Sequence, residues 1–264
     1  MKTNLRNIVF KTRNPSSLFK PIIIAHRGAS GYEPENTLLS FRRALEMGCQ
    51  AIELDVFLTH SGEIVVIHDE TINRTTNGTG YVSQFSIEQL KSYNAGKGEK
   101  IPLLSETFDL IEKAYGKQIE SGFILNIELK EPRTARPVAD LIKYYLNKKK
   151  WDGNNFIVSS FDHQAIQEFQ HYLPDIKTGA IFFRSDDNVI EVTQQSDAQY
   201  IILDYQSITY NLIAKAHKIG LFIFVYTVND PIIAQELATW HIDGIITDFP
   251  DILNCSESDP NILH

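Results

Sequence analysis

Along the chain, short runs of β-branched and aromatic residues alternate with stretches whose apolar residues recur every three or four positions. The runs lie at 22–26 (IIIAH), 51–57 (AIELDVF), 123–129 (FILNIEL), 156–160 (FIVSS), 178–183, 200–203 (YIIL), 221–227 (LFIFVYT) and 244–247 (GIIT). They are bounded by Gly, Asp or Pro and are too short for helices, so they predict buried strands. Between them, Leu38, Phe41 and Leu45 fall on one helix face, as do Val138, Leu141 or Ile142 and Tyr145, and Leu212, Ala216 and Ile219. Gly48 and Gly220 stand where helix C-caps are expected, each just ahead of a strand. Eight strands alternating with helices predict an α/β fold, a (β/α)₈ barrel, with a doubly wound open sheet as the other arrangement of the same rhythm. The second strand continues through a turn at Ser61-Gly62 into 63–67 (EIVVI), which ends at His68. Residues about 70–105 read as a small irregular insertion after the second strand, holding one short helix near 86–93. The expected organisation is a leader over 1–20, a single barrel domain over 21–256 and a tail over 257–264.

The polar residues gather where such a barrel carries its chemistry, at the C-terminal ends of the strands. His26 and Arg27 close the first strand. Glu53 and Asp55 lie two apart on the second, so both carboxylates face one way. His68 ends the hairpin return, and Asn126, Glu128 and Lys130 alternate along NIELK on one face. Tyr226-Thr227 and Thr247-Asp248 close two later strands. Charges inside such apolar runs need compensation, because burying one alone costs several kcal/mol. Internal ion pairs, Arg27 with Glu53 or Asp55 and Lys130 with Glu128, are the plainer explanation of each pair. Taken as a set, however, Glu53, Asp55 and Glu128 converging on one mouth repel one another unless a cation lies between them. All-oxygen ligation of that kind suits Mg²⁺ or Ca²⁺, not zinc. The cation, Arg27 and Lys130 together make a positive clamp for a phosphate. His26 and His68 supply a general base and a general acid.

Bulk composition narrows the class without naming it. In 264 residues, 33 acids against 25 bases give a net charge of −8, which argues against a broad nucleic-acid surface. Two cysteines, Cys49 and Cys255, form no metal-type cluster, and reduced thiols are expected. The first twenty residues carry Lys2, Arg6, Lys11, Arg13 and Lys20 without an acid, but no apolar block of secretory length. With no run long enough to span a bilayer, a cytoplasmic protein without stable membrane insertion is expected. Oligomeric state is not legible.

Read in order, AHRGASGYEPENT, AIELDVFLTHSGEIVVIHDETINRTTNGTG, IPLLSE, LNIELK, VYTVND and DGIITDFP resemble the glycerophosphodiester phosphodiesterase family from about residue 22 to 253. The resemblance implies a (β/α)₈ barrel and divalent-metal-dependent hydrolysis of a small glycerophosphodiester to sn-glycerol 3-phosphate and an alcohol. It matches His26 and His68 to the catalytic histidines and Glu53, Asp55 and Glu128 to the metal ligands. Arg27 and Lys130 match the phosphate-contacting bases. Glu35 and Asn36 match the PENT element; their plainer readings are a surface acid and an N-cap for a helix starting at Thr37. Tyr226 stands where the family often has Trp, which bears on substrate preference, and barrel-rim packing is its plainer reading. His60, His163, His171, His217 and His241 match no motif and read as surface or packing residues. The rivals are a lysophospholipase D-like enzyme on the same barrel, a non-catalytic phosphate-binding barrel, and a glycosidase using Glu53 and Glu128. The glycosidase leaves Arg27 and Lys130 without a role, and the binding barrel leaves the two histidines without one.

Overall fold

A computed structural model describes residues 20–185 and 188–253. Nine strands appear among them: β1 (Ile22–His26), β2 (Ala51–Leu58), β3 (Ile64–Val66), β4 (Ile124–Leu129), β5 (Phe156–Ser160), β6 (Lys177–Phe182), β7 (Tyr200–Asp204), β8 (Phe222–Tyr226) and β9 (Gly244–Thr247). All but β3 are parallel, and each pairs with its neighbours in chain order. The sheet closes on itself, because β1 pairs with β9 on one side (Ile24 opposite Ile246) and with β2 on the other (His26 opposite Glu53). The open doubly wound alternative is thereby set aside. The short β3 runs antiparallel to β2 outside the ring.

Helices cover the outside: α1 (Leu38–Glu46), α2 (Ile87–Ser92), α3 (Leu104–Glu120), α4 (Ala135–Asn147), α5 (His163–Tyr172), α6 (Val189–Gln195), α7 (Tyr210–Lys218) and α8 (Pro231–Thr239). The expected faces of α1 and α4 hold, with Phe41, Leu45, Val138, Ile142 and Tyr145 buried. That of α7 is rotated: Ile213 and Ala216 are buried, whereas Ile219 lies beyond the helix end and is exposed. A leucine and an isoleucine in adjacent positions, Leu212 and Ile213, make either face apolar on paper, and the barrel takes the isoleucine.

Strand parity explains what sits inside the ring. The inward positions of β1, β2, β4, β5, β7, β8 and β9 bring Ile24, Ala51, Ile124, Ile157, Tyr200, Ile202, Phe224 and Ile246 into one buried cluster. Tyr200 packs on Phe224 with ring centroids 4.8 Å apart. His26, Glu53, Asp55, Asn126 and Glu128 continue the same parity toward the C-terminal ends. The apolar layer therefore forms the floor on which the polar layer stands. Outside the ring, larger clusters fill the space between strands and helices.

Between β3 and α3 the chain makes its excursion, with α2 near its middle. It carries its own small core of Val65, Ile67, Ile72, Val82, Leu90, Ala95 and Ile101, which fixes it to the outer side of β3. No described helix is long and apolar enough to cross a membrane. Cys49 is buried as a free thiol, and Cys255, the leader to residue 19 and the tail lie outside the described residues.

Two glycines with similar backbone conformations separate torsional from steric demand. Gly28 (φ +82°) and Gly48 (φ +77°) both occupy the left-handed region. A Cβ on Gly48 would meet nothing within 4 Å, whereas one on Gly28 would lie 2.4 Å from Ser40 Oγ and 2.7 Å from the Ser40 carbonyl carbon. Gly48→Ala is expected to cost about 1 kcal/mol, the torsional term alone. Gly28→Ala adds the overpacking term and should cost roughly 1–3 kcal/mol more. Urea unfolding of the two variants measures the difference, and equal losses would show that α1 yields to the extra methyl.

Candidate active site

The end of β1 is where the chain first leaves regular geometry. Arg27 takes φ +54° and Gly28 follows at +82°, a pair of left-handed residues that turns the strand into the loop. For arginine this conformation is strained, and such strain clusters at functional positions. It aims the Arg27 backbone N–H at Glu53 Oε2, 3.1 Å away, while the guanidinium places Nη1 2.8 Å from Glu35 Oε1 and Nε 3.4 Å from Asp55 Oδ2.

Glu53, Asp55 and Glu128 are respectively 4%, 1% and 8% exposed. One carboxylate oxygen from each lies within 4.8 Å of the others, the one such group of potential metal ligands among the described residues. The electrostatics record the crowding. Burial, then Asp55 and Glu128, raise the Glu53 carboxyl well above its ordinary range. Burial and Asp55 likewise push Glu128 up to about 7 against the pull of Lys130. Burial also works to raise Asp55, but Lys130, Arg27, His68 and a hydrogen bond from Asn36 outweigh it and hold that carboxyl low. Lys130 Nζ lies 2.7 Å from Glu128 Oε1 and 3.5 Å from Asp55 Oδ1, so the ion pair expected from the plainer reading is present. It leaves the trio with three acids against two bases, and the donor set is all oxygen. The residues fit a hard divalent cation.

Asn36 corrects one expectation. It does not cap α1: Thr37 does, accepting from the Ser40 N–H while Ser40 Oγ accepts from the Thr37 N–H. Asn36, itself at φ +55°, turns instead toward the barrel and donates from Nδ2 to Asp55 Oδ2 at 2.8 Å. Glu35, read plainly as a surface acid, is mostly buried between Arg27 and Arg74.

Each of the two histidines has a carboxylate behind it. His26 Nδ1 lies 2.6 Å from Asp248 Oδ1, and His68 Nδ1 lies 2.6 Å from Asp69 Oδ1. An ionised carboxylate only accepts, so Nδ1 carries the proton in both rings and Nε2 is the nitrogen left without one. Burial tends to raise Asp248, but hydrogen bonds from His26, Asn229 and Ser30 outweigh it and hold it low. Hydrogen bonds from Arg74, in the first place, hold Asp69 low. Burial, with Lys130 and Arg27, keeps the His68 imidazole below its ordinary pKa despite Asp55 and Asp69.

One cavity joins these groups, with about 420 Å³ of space and His26, Arg27, Glu53, His68, Glu128 and Lys130 in its lining. Apolar lining comes from Phe161, Ile181, Phe183, Ile202, Tyr226 and Ile246. Tyr226 both lines the cavity and packs the rim, its hydroxyl donating to the Phe182 carbonyl at 2.8 Å. His163 lies off the cavity, its Nε2 3.1 Å from the Ile181 carbonyl oxygen, and His217 pairs with buried Asp243 at 2.7 Å.

Sequence reasoning placed Asp248 at a strand end of the mouth without giving it a role, and it missed Asp69 and Arg74. Asp69 is adjacent to a chosen histidine, and a search for acids beside candidate imidazoles would have found it. Asp248 is 222 residues from His26, and only the closed ring brings them together.

Comparison with known proteins agrees with this geometry. The model of the glycerophosphoryl diester phosphodiesterase family matches residues 26–252. The chain is 35% identical over 246 residues to the glycerophosphodiester phosphodiesterase of Caldanaerobacter subterraneus subsp. tengcongensis, covering 89% of this chain and 96% of that one. It is 32% identical over 250 residues to that of Bacillus altitudinis, covering 87% and 95%. Among solved structures, an Oleispira antarctica phosphodiesterase in complex with its product sn-glycerol-3-phosphate superposes with a TM-score of 0.80 at 27% identity, over 89% of this chain and 96% of that chain. With the closed barrel, the match over nearly every described residue and these relatives in agreement, the chain belongs to the glycerophosphoryl diester phosphodiesterase family.

Proposed function

We propose that this enzyme hydrolyses glycerophosphodiesters to sn-glycerol 3-phosphate and an alcohol, using Mg²⁺ or Ca²⁺ held by Glu53, Asp55 and Glu128 and acid–base catalysis by His26 and His68. The observation that carries the reading is a buried trio of carboxylates, two of which, Glu53 and Glu128, line one cavity together with two imidazoles, each anchored through Nδ1. The relative solved with sn-glycerol-3-phosphate supports the product assignment. Residues 21–256 act as one catalytic domain in this reading.

When bound, the cation draws charge from the non-bridging phosphoryl oxygens and makes the phosphorus more electrophilic. Arg27 and Lys130 orient the phosphodiester and offset the charge that builds on those oxygens. One histidine takes the proton from the nucleophile, either water or the glycerol hydroxyl next to the phosphate. The phosphorus–oxygen bond to the alcohol breaks with its electron pair on oxygen, and the second histidine protonates that oxygen. Attack by the glycerol hydroxyl gives a cyclic phosphate that water then opens. Asp248 and Asp69 hold the rings in one tautomer throughout.

The apolar lining of the cavity favours a second reading. Phe161 and Phe183 stack with centroids 4.2 Å apart, and Phe183 is 70% exposed at the rim. Such a wall gives the glycerol hydroxyls no partner but suits an acyl chain, as a lysophospholipase D-like activity requires. Turnover of glycerophosphocholine and lysophosphatidylcholine is to be compared in the unaltered enzyme and in Phe183→Ser. If the wall holds an acyl chain, the variant loses turnover of the lysophospholipid by ~10-fold or more and keeps that of glycerophosphocholine. Equal effects on both substrates exclude the second reading.

Metal dependence is the direct test of the trio. Chelation should abolish hydrolysis of glycerophosphocholine, and Mg²⁺ or Ca²⁺ should restore it; full activity after chelation would refute the assignment. The raised Glu128 carboxyl, at about 7, retains a proton that the ordinary carboxylate has lost, and a cation must displace it. Apparent metal affinity, measured by calorimetry, is therefore expected to rise with pH through about 7, the Glu53 carboxyl being raised in the same direction. Glu128→Gln should flatten that rise and weaken binding.

The histidines are tested by removal. His26→Ala and His68→Ala should each lower kcat by ~10²–10⁴, and the double variant by much less than the product of the two losses. His163→Ala is the control; a loss as large as the others would place the chemistry elsewhere.

A further inference from the structure

Arg74 lies in the excursion after β3 and touches neither the carboxylate trio nor the cavity wall. Its guanidinium nevertheless makes four close contacts to two acids. Nη1 donates to Glu35 Oε2 at 2.6 Å and Nη2 to Glu35 Oε1 at 2.8 Å. On the other side, Nε donates to Asp69 Oδ2 at 2.8 Å and Nη2 to Asp69 Oδ1 at 3.0 Å. The single nitrogen Nη2 thus bridges two oxygens, and each already holds a group of the site. Glu35 Oε1 accepts from Arg27 Nη1, and Asp69 Oδ1 accepts from His68 Nδ1.

We propose that Arg74 is a positioning residue that fixes the phosphate-binding Arg27 and the proton-transferring His68 in one mutual geometry. The side chain is 47% exposed, where solvent screening leaves an ion pair little net worth. What a planar fork supplies even at the surface is direction, because both carboxylates are gripped in two places and neither can rotate without breaking a bond. Glu35 and Asp69 are the less exposed partners, so the constraint passes inward to Arg27 and His68. Hydrogen bonds behind a catalytic or ligating group commonly carry a ten- to hundredfold effect of this kind. The device also accounts for the excursion, which delivers one guanidinium to the edge of the site. Lys97 ties the same excursion to the same loop after β1, through Glu33 at 2.7 Å and the Tyr32 carbonyl at 3.0 Å, but contacts neither Glu35 nor Asp69.

The proposal rests on the hydrolytic reading above, and its test is built to separate the two. In the full-length protein, Arg74→Ala is expected to lower kcat by ~10–100-fold with little change in melting temperature. Millimolar guanidinium should restore part of that loss by reoccupying the gap between Glu35 and Asp69. Arg74→Lys should stay low, since one ammonium cannot grip both carboxylates. Lys97→Met should retain full turnover with the excursion equally relieved of a tether. Arg74→Ala within about twofold of the unaltered enzyme overturns the proposal. So does a loss that follows a fall in melting temperature and that guanidinium does not restore. If the unaltered protein hydrolyses no phosphodiester, the functional reading fails, and proton NMR of the metal-free protein still decides the positioning role. The low-field Nδ1 proton of His68, assigned by its loss in His68→Gln, should shift or broaden in Arg74→Ala and not in Lys97→Met. An unchanged resonance in Arg74→Ala overturns the proposal.

Discussion

Mutual repulsion among Glu53, Asp55 and Glu128 is the constraint around which the mouth of this barrel is arranged. Three carboxylates removed from water at this distance are unfavourable by themselves, and every neighbouring polar choice answers to them. Lys130 leans on two of them, the Arg27 backbone bends into a strained conformation to donate to a third, and Asn36 turns inward to Asp55. The apolar floor beneath, built from the same strand faces, denies them water from below. Stability is thereby exchanged for a preformed place for positive charge, which is what a phosphodiester hydrolase has to present to its substrate.

Much of this was legible because a closed parallel barrel obeys simple periodicities. Alternation by two along NIELK and AIELDVF puts Glu53, Asp55, Asn126 and Glu128 on one face from sequence alone, and the structure puts that face inside. The strand runs were recovered to within a residue or so at each end. Illegible features had different causes. Adjacent apolar residues left the face of α7 ambiguous. Thr37 and Asn36 are both good capping residues, and only the buried carboxylate at Asp55 draws Asn36 away from that role. The partners of the histidines were split between a trivial sequence neighbour and one at the far end of the chain, neither of which periodicity can find.

A division of labour follows from the layout. The closed ring supplies the carboxylates, the bases and His26, all on strand ends that packing holds rigidly. The excursion after β3 supplies nothing that ligates or lines the cavity beyond His68 at its root, yet it encloses its own apolar core. It can drift in sequence so long as that small core survives and the loop's ionic anchors stay in register. At the rim, the exposed ring of Phe183, stacked on Phe161, carries no such ionic tie, so this is the position at which selectivity for the proposed substrates can vary.

The contact between His26 and Asp248 joins the first strand of the ring to the residue just past its last. During synthesis the imidazole is made early and its carboxylate more than two hundred residues later. Closing so long a loop is entropically costly, and it is offset only when β9 docks against β1. A nascent chain or a fragment lacking the final strand holds every proposed metal ligand and both histidines, yet leaves one ring without the group that sets its tautomer. In the proposed mechanism, full hydrolytic competence therefore waits on closure of the ring.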